Sequence, residues 1–248
     1  THPLAIFCKN PVNIVLSGIT NDELDISVDV LKTVTFPLLL NFNIWGITMK
    51  VRRRGAKPKG GGEVELLIPP VRGALNPLHV TDEGLVKRVR GTVFSTKVSP
   101  QIANRVISAC REVLNHVLPD VFINTDTYKG KLGGDSPGYS VSLVAESTSG
   151  ALLSVERTAV SRVGGVGGVG GGVELPEDIG REAAMMLLSE VQRGGVVDTV
   201  HQPLVLMLMV LTPEDVSKVR FGVLSPQAIM MLRLLREAFG VTFKIKED

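Results

Sequence analysis

The sequence predicts a mixed α/β (α+β) fold, because short apolar runs with strand character alternate with segments of helical periodicity. Hydrophobic residues make up 44% of the 248 residues and charged residues 21%, a balance that is typical of a folded globular chain. The clearest helix is the amphipathic stretch 99–118, where Ser99 suits the N-cap and Pro100 the first helical position.

The first eighty residues predict the order strand, helix, strand, strand. The run 13–18 has the character of a buried strand, and 27–42 has apolar residues at helical spacing. Pro37 lies inside that helix, so we expect a kink or an early stop there. Two further strands, 46–54 and 63–69, flank a loop that is rich in glycine and basic residues.

A second group of elements predicts a compact α+β unit of four strands and two helices. Its last helix should end at Gly194, since glycine is common just beyond a helix C-terminus. In chain order the elements are strand 85–98, helix 99–118, strands 121–126, 139–148 and 151–160, and helix 177–195.

The last fifty residues return to a mixed α/β pattern. Their predicted elements are helix 198–211, strand 218–223, helix 226–239 and strand 241–246. We therefore predict a smaller α+β domain inserted into a larger one. The inserted domain would comprise residues 82–195, and the larger domain residues 1–81 and 196–248.

Residue types disfavour several classes of protein. Cys8 and Cys110 lie far apart and form no CxxC motif, which fits a reducing compartment, and the four histidines do not cluster with them to suggest zinc. The longest apolar run, "PLVLMLMVL", is nine residues, so we expect no membrane partner. No P-loop motif is present. The chain opens without Met, in mid-pattern, and we expect that a further N-terminal part of the natural protein precedes it.

Two weaker signals have a structural interpretation. The fingerprint G-x-G-x-x-G occurs at Gly165, Gly167 and Gly170, with Glu190 further on, but here GGV repeats as low-complexity sequence and the next helix begins only later. We predict a flexible surface loop over 164–172 rather than a dinucleotide site. His201 lies on an apolar segment, which favours a hydrogen-bonded histidine beside a core helix over a catalytic base.

The stretch "VRRRGAKPKGGGEVEL", residues 51–66, stands apart because it combines five basic side chains with three consecutive glycines. Glycines allow positive φ angles and close backbone approach, so backbone amides and cations together could hold a phosphate. The alternative is a hairpin whose solvated side is cationic, and the pattern leaves both open. The candidate anion-, RNA- or partner-binding residues are Arg52, Arg53, Arg54, Lys57, Lys59, Gly60, Gly61 and Gly62.

The segment "RGAKPKGGGEV", residues 54–64, resembles the R-G-x-x-P-x-G-G-G-x-V signature of the RNA 3'-terminal phosphate cyclase family. This resemblance implies a large domain of repeated α/β units with a smaller inserted domain of four strands and two helices, and it implies that the preceding part is the first repeat. Further stretches resemble the cyclase-like branch of the family in particular: 18–32, 88–106, 133–150 and 175–198.

One departure from the family pattern bears on catalysis. The resemblance implies that catalytically active members carry an H-x-x-T-A-I-like stretch, whose first histidine takes AMP from ATP. In this chain the equivalent stretch is "LSPQAI", which places Leu224 at the position of that histidine. A leucine has no nucleophilic nitrogen. The segment "HQPL" keeps Gln202 and Leu204 of a D-Q-L-like motif but shows no aligned Asp. We therefore expect no cyclase activity, no catalytic residues, no cofactor and no metal.

The resemblance then implies a role in ribosome assembly. The cyclase-like branch acts in the small-subunit processome, where cleavage of precursor rRNA yields 18S rRNA, and it binds a nucleolar GTPase. The implied partners are that GTPase, other processome proteins and, as a further candidate, pre-rRNA, and the implied location is the nucleolus of the nucleus. Two alternatives remain at this point: an RNA-processing enzyme, either a pre-rRNA endonuclease or a residual cyclase, and a generic anion-binding domain.

Overall fold

A computed structural model describes residues 5–160, 174–213 and 216–246, and its mixed α/β architecture confirms the predicted fold class. The described strands form three sheets of three, four and two strands. The predicted glycine loop at 164–172 lies outside the described residues. No described helix has the length and apolar character required to cross a membrane.

The first sheet is antiparallel, with strand order β1 (Val12–Gly18), β3 (Gly62–Ile68) and β2 (Thr48–Arg53). Alternate residues of the central strand β3 are buried, as expected for a strand with one face on a core. The sequence-based prediction that the first strand is buried was wrong. In the described residues β1 pairs with β3 alone, so it is an edge strand, and Val15 and Leu16 are about half exposed.

The helix α1 occupies residues 28–40 and contains one widened turn. It is α-helical over Val28–Val30, π-helical over Leu31–Thr35 and α-helical again over Phe36–Leu40. Pro37 is the second residue after the π turn, and the helix continues beyond it to Leu40, so the predicted early stop does not occur. Proline lacks a backbone N–H, so it cannot donate the usual bond to the preceding turn, and the π turn widens the helix just before it.

The second sheet has the strand order β6, β5, β7, β8, and two helices pack on it. The long strand β5 lies in the middle, parallel to β6 and antiparallel to β7. The bounds are β5 (Val86–Thr96), α2 (Pro100–Leu114), β6 (Val121–Tyr128), β7 (Gly138–Ser147), β8 (Leu152–Thr158) and α3 (Pro176–Gln192).

These elements share one large hydrophobic core. Val93 and Leu143 from the sheet meet Ala103 and Leu114 from α2 and Ile179 from α3, and all five are fully buried. Gly194, with φ +72°, follows the end of α3 as predicted. The predicted order of strands and helices in this part of the chain is confirmed, whereas its status as an inserted domain of residues 82–195 stays a prediction.

The remaining elements form a smaller layer. The strand β4 (His79–Val80) pairs in parallel with β9 (Lys218–Val219). The strand predicted over 218–223 is therefore present as β9, but it is only two residues long. The helices are α4 (Gln202–Val210) and α5 (Pro226–Phe239). The predicted strand 241–246 was wrong, since no described strand pairs with it, and a strand needs a neighbour to bond its backbone.

Candidate functional site

Arg54 follows the last residue of β2, and its guanidinium group is buried among acidic and amide side chains. It donates to Asp29 on α1 in bidentate fashion, at 2.8 Å from Nη1 and 2.6 Å from Nη2. It also donates to Asp126 Oδ2 on β6, at 3.1 Å from Nε and 2.6 Å from Nη2, and to Asn21 Oδ1 at 3.2 Å. Only 3% of Arg54 is exposed.

Two aromatic rings complete the surroundings of Arg54. Its Cζ atom lies 5.1 Å from the ring centre of Phe94 and 6.0 Å from that of Tyr128, both within cation–π range. Burial by itself lowers the pKa of Arg54, but the hydrogen bonds and charges of Asp29 and Asp126 outweigh it and raise the pKa. The arginine is therefore charged, paired and enclosed. Its donors point to internal carboxylates, and contact of Arg54 with an external anion stays a prediction.

The glycines of the basic loop bring backbone segments into direct contact. A Cβ atom on Gly55 or Gly60 would lie within 3.0 Å of the backbone of Gly18, and one on Gly62 would meet the Gly18 carbonyl oxygen equally closely. Such distances are essentially not found for real Cβ atoms. The motif therefore requires glycine where the end of β1 crosses the loop.

The concavity predicted for a phosphate is occupied by the protein itself. The Gly60 carbonyl accepts a hydrogen bond from the Asp135 N–H at 3.0 Å, and the Lys59 N–H donates to Ser136 Oγ at 3.0 Å. The carboxylate of Asp135 also lies against Gly61, where an added Cβ would be 2.5 Å from Oδ2. An acidic group in this place opposes a phosphate, and the glycines form a junction between chain segments. Anion binding by Gly60, Gly61 and Gly62 stays a prediction.

Three of the other basic side chains of the loop pair with carboxylates on the surface. Arg52 Nη2 lies 2.6 Å from Glu65, Arg53 Nη2 3.2 Å from Glu63, and Lys57 Nζ 3.2 Å from Glu23. The Arg52 hydrogen bond and charge lower the pKa of Glu65. The cationic run is thus largely offset by acids, two of them, Glu63 and Glu65, on the strand that leaves the same loop. Lys59 is exposed, and no ion pair to it is found within the described part of the chain.

Two further exposed lysines lie on segments that pack against the turn beside Lys59. Lys97 and Lys129 directly follow the paired ends of the parallel strands β5 and β6, and the Lys97 N–H donates to the Tyr128 carbonyl at 3.4 Å. Lys97 Cγ lies 3.6 Å from where a Cβ on Gly133 would be, in the turn that leads to Ser136 beside Lys59. We call Lys59, Lys97 and Lys129 the lysine rim. Their association depends on strand register, which a search for sequence motifs does not reveal.

His201 belongs to a closed network in the core. Its Nδ1 lies 2.6 Å from Asp198 Oδ1 and its Nε2 2.8 Å from Thr35 Oγ1. Asp198 Oδ2 in turn accepts from Ser154 Oγ at 2.5 Å. Burial raises the pKa of Asp198, yet the charge and hydrogen bonds of His201 and Ser154 overcome this and lower it. The prediction of a hydrogen-bonded core histidine is confirmed, and this network joins α1, β8 and the start of α4.

Leu224 lies in a hydrophobic cluster just before α5. It packs on buried Leu206, Ala228 and Leu235, which belong to α4 and α5. The side chain of Gln202 fixes the segment by donating to the Val223 carbonyl at 3.1 Å and accepting from the Ser225 N–H at 2.8 Å. Leu224, at the position where the family resemblance places a nucleophile, therefore packs in a hydrophobic cluster. The segment around it is held by Gln202, a residue of the D-Q-L-like motif.

Glu156, on β8, is a partly buried carboxyl group beside the start of α1. Its Oε1 accepts from the Ser27 N–H at 2.9 Å. Burial raises the pKa of Glu156 to about 7, the nearby charge of Asp29 adds to this, and the hydrogen bonds from Ser27 and the charge of His201 offset it in part. Among the described residues no group of three His, Cys, Asp or Glu side chains could hold a metal ion.

Replacing Arg54 by Met should lower the free energy of unfolding by about 3–5 kcal/mol, because two carboxylates lose their counter-ion in a buried setting. Arg53→Met is the matched control, since its side chain is exposed and should contribute less than about 1 kcal/mol. Urea unfolding followed by circular dichroism measures both. A stability for Arg54→Met within about 1 kcal/mol of the parent would contradict the assigned role.

Glu156 should make stability depend on pH near neutrality. Its pKa is raised in the folded state, so its contribution is fully present below the unfolded pKa of about 4.5 and is lost as pH rises through about 7. The free energy of unfolding should fall by about 2–3 kcal/mol between pH 5 and 8.5. Glu156→Gln keeps the acceptor for Ser27 and should remove this decline. Equal pH slopes for the two proteins would refute the assignment.

Comparison with known proteins places these features in a family. The model of the RNA 3'-terminal phosphate cyclase family matches residues 1–245. The RNA 3'-terminal phosphate cyclase-like proteins of Mus musculus and Homo sapiens are 50% and 49% identical to the chain over 245 residues. These alignments cover 98% of the chain and 64% of each relative, so the chain spans less than two thirds of their length.

A more distant relative carries a functional name. The "rRNA processing protein rcl1" of Schizosaccharomyces pombe is 38% identical over 248 residues, which is 98% of the chain and 65% of that protein. The sequence-based resemblance is thereby confirmed. The chain belongs to the RNA 3'-terminal phosphate cyclase family, and within it is similar to the cyclase-like proteins.

Proposed function

We propose that this chain is a non-catalytic member of the cyclase family that acts in rRNA processing. The observation that carries the proposal is Leu224, a hydrocarbon side chain packed into a core cluster at the position where the family resemblance places the adenylylated histidine. A leucine cannot form a covalent nucleotide intermediate. The role in rRNA processing is supported by the name of the Schizosaccharomyces pombe relative, which matches nearly the whole chain.

The more specific role is assembly within the small-subunit processome. In this proposal the protein supports the cleavages that yield 18S rRNA, binds a nucleolar ribosome-assembly GTPase and other processome proteins, and resides in the nucleolus. A fold that keeps the family signature as a structural junction while lacking the nucleophile suits a binding role, since the junction preserves the shape of the surface without requiring chemistry.

Direct contact with pre-rRNA is assigned to the lysine rim rather than to the whole basic loop. Lys59, Lys97 and Lys129 are exposed and have no ion pair in the described ranges, whereas Arg52, Arg53 and Lys57 already have carboxylate partners. Cations without internal partners release more counter-ions on binding a phosphate chain and so contribute more to affinity. The finer assignment therefore differs from the residues chosen by sequence alone.

Incubation with ATP labelled on the α-phosphate should leave no label on the purified protein, because no nucleophile occupies the position of Leu224. A family enzyme that carries the histidine serves as the positive control.

In cells, depletion of the protein should lower 18S rRNA and raise its precursors. Protein-bound AMP would overturn the non-catalytic proposal, and unchanged 18S rRNA would overturn the processing role. Cleavage of a defined pre-rRNA by pure protein would favour an endonuclease instead.

Replacing the three residues of the lysine rim by Glu should weaken binding to single-stranded pre-rRNA. If each lysine contacts one phosphate, the slope of log affinity against log salt should fall by about 2. The control replaces three exposed lysines elsewhere, Lys32, Lys218 and Lys244, by Glu, which changes the net charge equally. Fluorescence anisotropy across a salt series measures both, and equal losses for the two triple variants would contradict a localised site.

A further inference from the structure

A cleft of about 860 Å³ lies beside the loop that follows β1. One wall is the loop 22–26, between β1 and α1, and the opposite wall is the helix α3. Residues 154–156 of β8 and the pair 199–200 line the cleft between them. The volume accommodates several side chains of a partner rather than a complete helix, whose diameter is about 10–12 Å.

The loop wall has a defined shape. Asp22 Oδ1 accepts from the N–H groups of Leu24 at 3.0 Å and Asp25 at 2.9 Å, which closes a tight turn. Burial raises the pKa of Asp22, but these backbone hydrogen bonds and Lys57 outweigh it and lower the pKa. The turn presents Leu24 to solvent, with 81% of the residue exposed. An exposed leucine held in a fixed turn beside a cleft is available to a partner.

The helix wall follows one face of α3. Glu182, Met185, Met186, Ser189, Glu190 and Arg193 recur at helical spacing of three and four residues, so they share one face. The opposite face, with Ile179, Ala183, Ala184 and Leu187, is buried in the core. Met185 and Met186 are 56% and 42% exposed, and Val200 beside them is 52% exposed. Methionine is flexible and adapts well to an incoming apolar side chain.

The charge of the cleft is predominantly negative. Arg193 is the cation that lines it, and Lys57 and Arg157 pair with acids at its edge, on Glu23 and Glu182 respectively. Arg193 is itself paired with the buried Glu190, and Glu156 is partly protonated near pH 7 because its pKa is raised to about 7. The negative charge around the apolar centre is therefore carried chiefly by Asp22, Glu23, Asp25 and Glu182. The carboxyl side chains that line the cleft are Asp22, Glu23, Asp25, Glu156, Glu182 and Glu190.

We propose that this acidic methionine cleft, formed by loop 22–26 and the exposed face of α3, is a docking groove for a basic amphipathic helix of a protein partner. Apolar anchors of the partner would contact Leu24, Met185 and Met186, and its Lys or Arg side chains would face the acidic rim. This is helix-in-groove recognition with electrostatic complementarity. The same carboxylates repel RNA phosphates and anionic lipid surfaces, so the cleft selects against both.

The inference depends on the proposed binding role for its biological use, but its test does not. It requires only purified protein and a synthetic peptide, whereas the processing role is tested by 18S rRNA in cells. If the peptide does not bind but 18S rRNA still falls on depletion of the protein, only the proposed groove is contradicted. If the peptide binds but 18S rRNA stays normal on depletion, only the processing role is contradicted.

The probe is a fluorescein-labelled peptide of about 18 residues, roughly five helical turns, with Leu on one face and Lys or Arg on the other. A scrambled peptide of the same composition lacks the apolar face, and a third peptide has Glu in place of every cation. We expect the first peptide to bind at least about tenfold more tightly than the scrambled one and the acidic peptide not to bind.

Variants localise the binding. The double variant Met185→Ser, Met186→Ser should lower the affinity for the amphipathic peptide by about tenfold or more. Met230→Ser, at a 69% exposed methionine on α5, should change that affinity by less than about twofold. The double variant Asp25→Asn, Glu182→Gln should lower the affinity for the same peptide by about threefold or more and make that affinity less dependent on salt concentration. The charge control is Glu112→Gln, at an exposed acid on α2.

Three results would overturn the proposal: equal binding by the scrambled peptide, binding by the acidic peptide, or equal affinity of the cleft and control variants. Circular dichroism of each variant shows that it is folded, and all substitutions are at exposed or partly exposed positions, so a loss of binding reports on the surface.

Discussion

The buried guanidinium of Arg54 is the interaction on which the rest of the structure depends. It joins three parts of the chain, since its partners lie on the loop after β1, on α1 and on β6 of the second sheet. A buried charge is tolerated only when its partners are in place. The glycines around it follow from this constraint, because Gly55, Gly60 and Gly62 allow the loop to approach Gly18 and bring the arginine inward.

This constraint changes the meaning of the basic glycine motif. The motif looks like a phosphate site in sequence, but its arginine is neutralised and its concavity is filled by the protein's own backbone. At the position where the family resemblance places a histidine that carries AMP, this chain has Leu224, and its side chain contributes to hydrophobic packing. The surface offers two regions of opposite charge, the lysine rim and the acidic methionine cleft, for which we propose two different kinds of partner.

The sequence was sufficient for the elements whose periodicity is local. Helices α2 and α3, the strands of the second sheet, and strand β3 were predicted because alternation and capping lie within one segment. The pairing of the basic loop could not be predicted, since Asp29 and Asp126 are 25 and 72 residues away from Arg54. The same limit applies to the lysine rim, which depends on strand register. The strand expected at 241–246 was wrong because its apolar residues had no strand to pair with.

A double-mutant cycle between Arg54 and Asp126 tests the central claim most directly. The variants are Arg54→Met, Asp126→Asn and the two combined, with the free energy of unfolding measured in urea. If the pair joins the two sheets as described, the substitutions should be non-additive by about 1–3 kcal/mol, because each single change already removes the shared interaction. Additivity within about 0.5 kcal/mol would show that the arginine and the carboxylate act independently and would contradict the account.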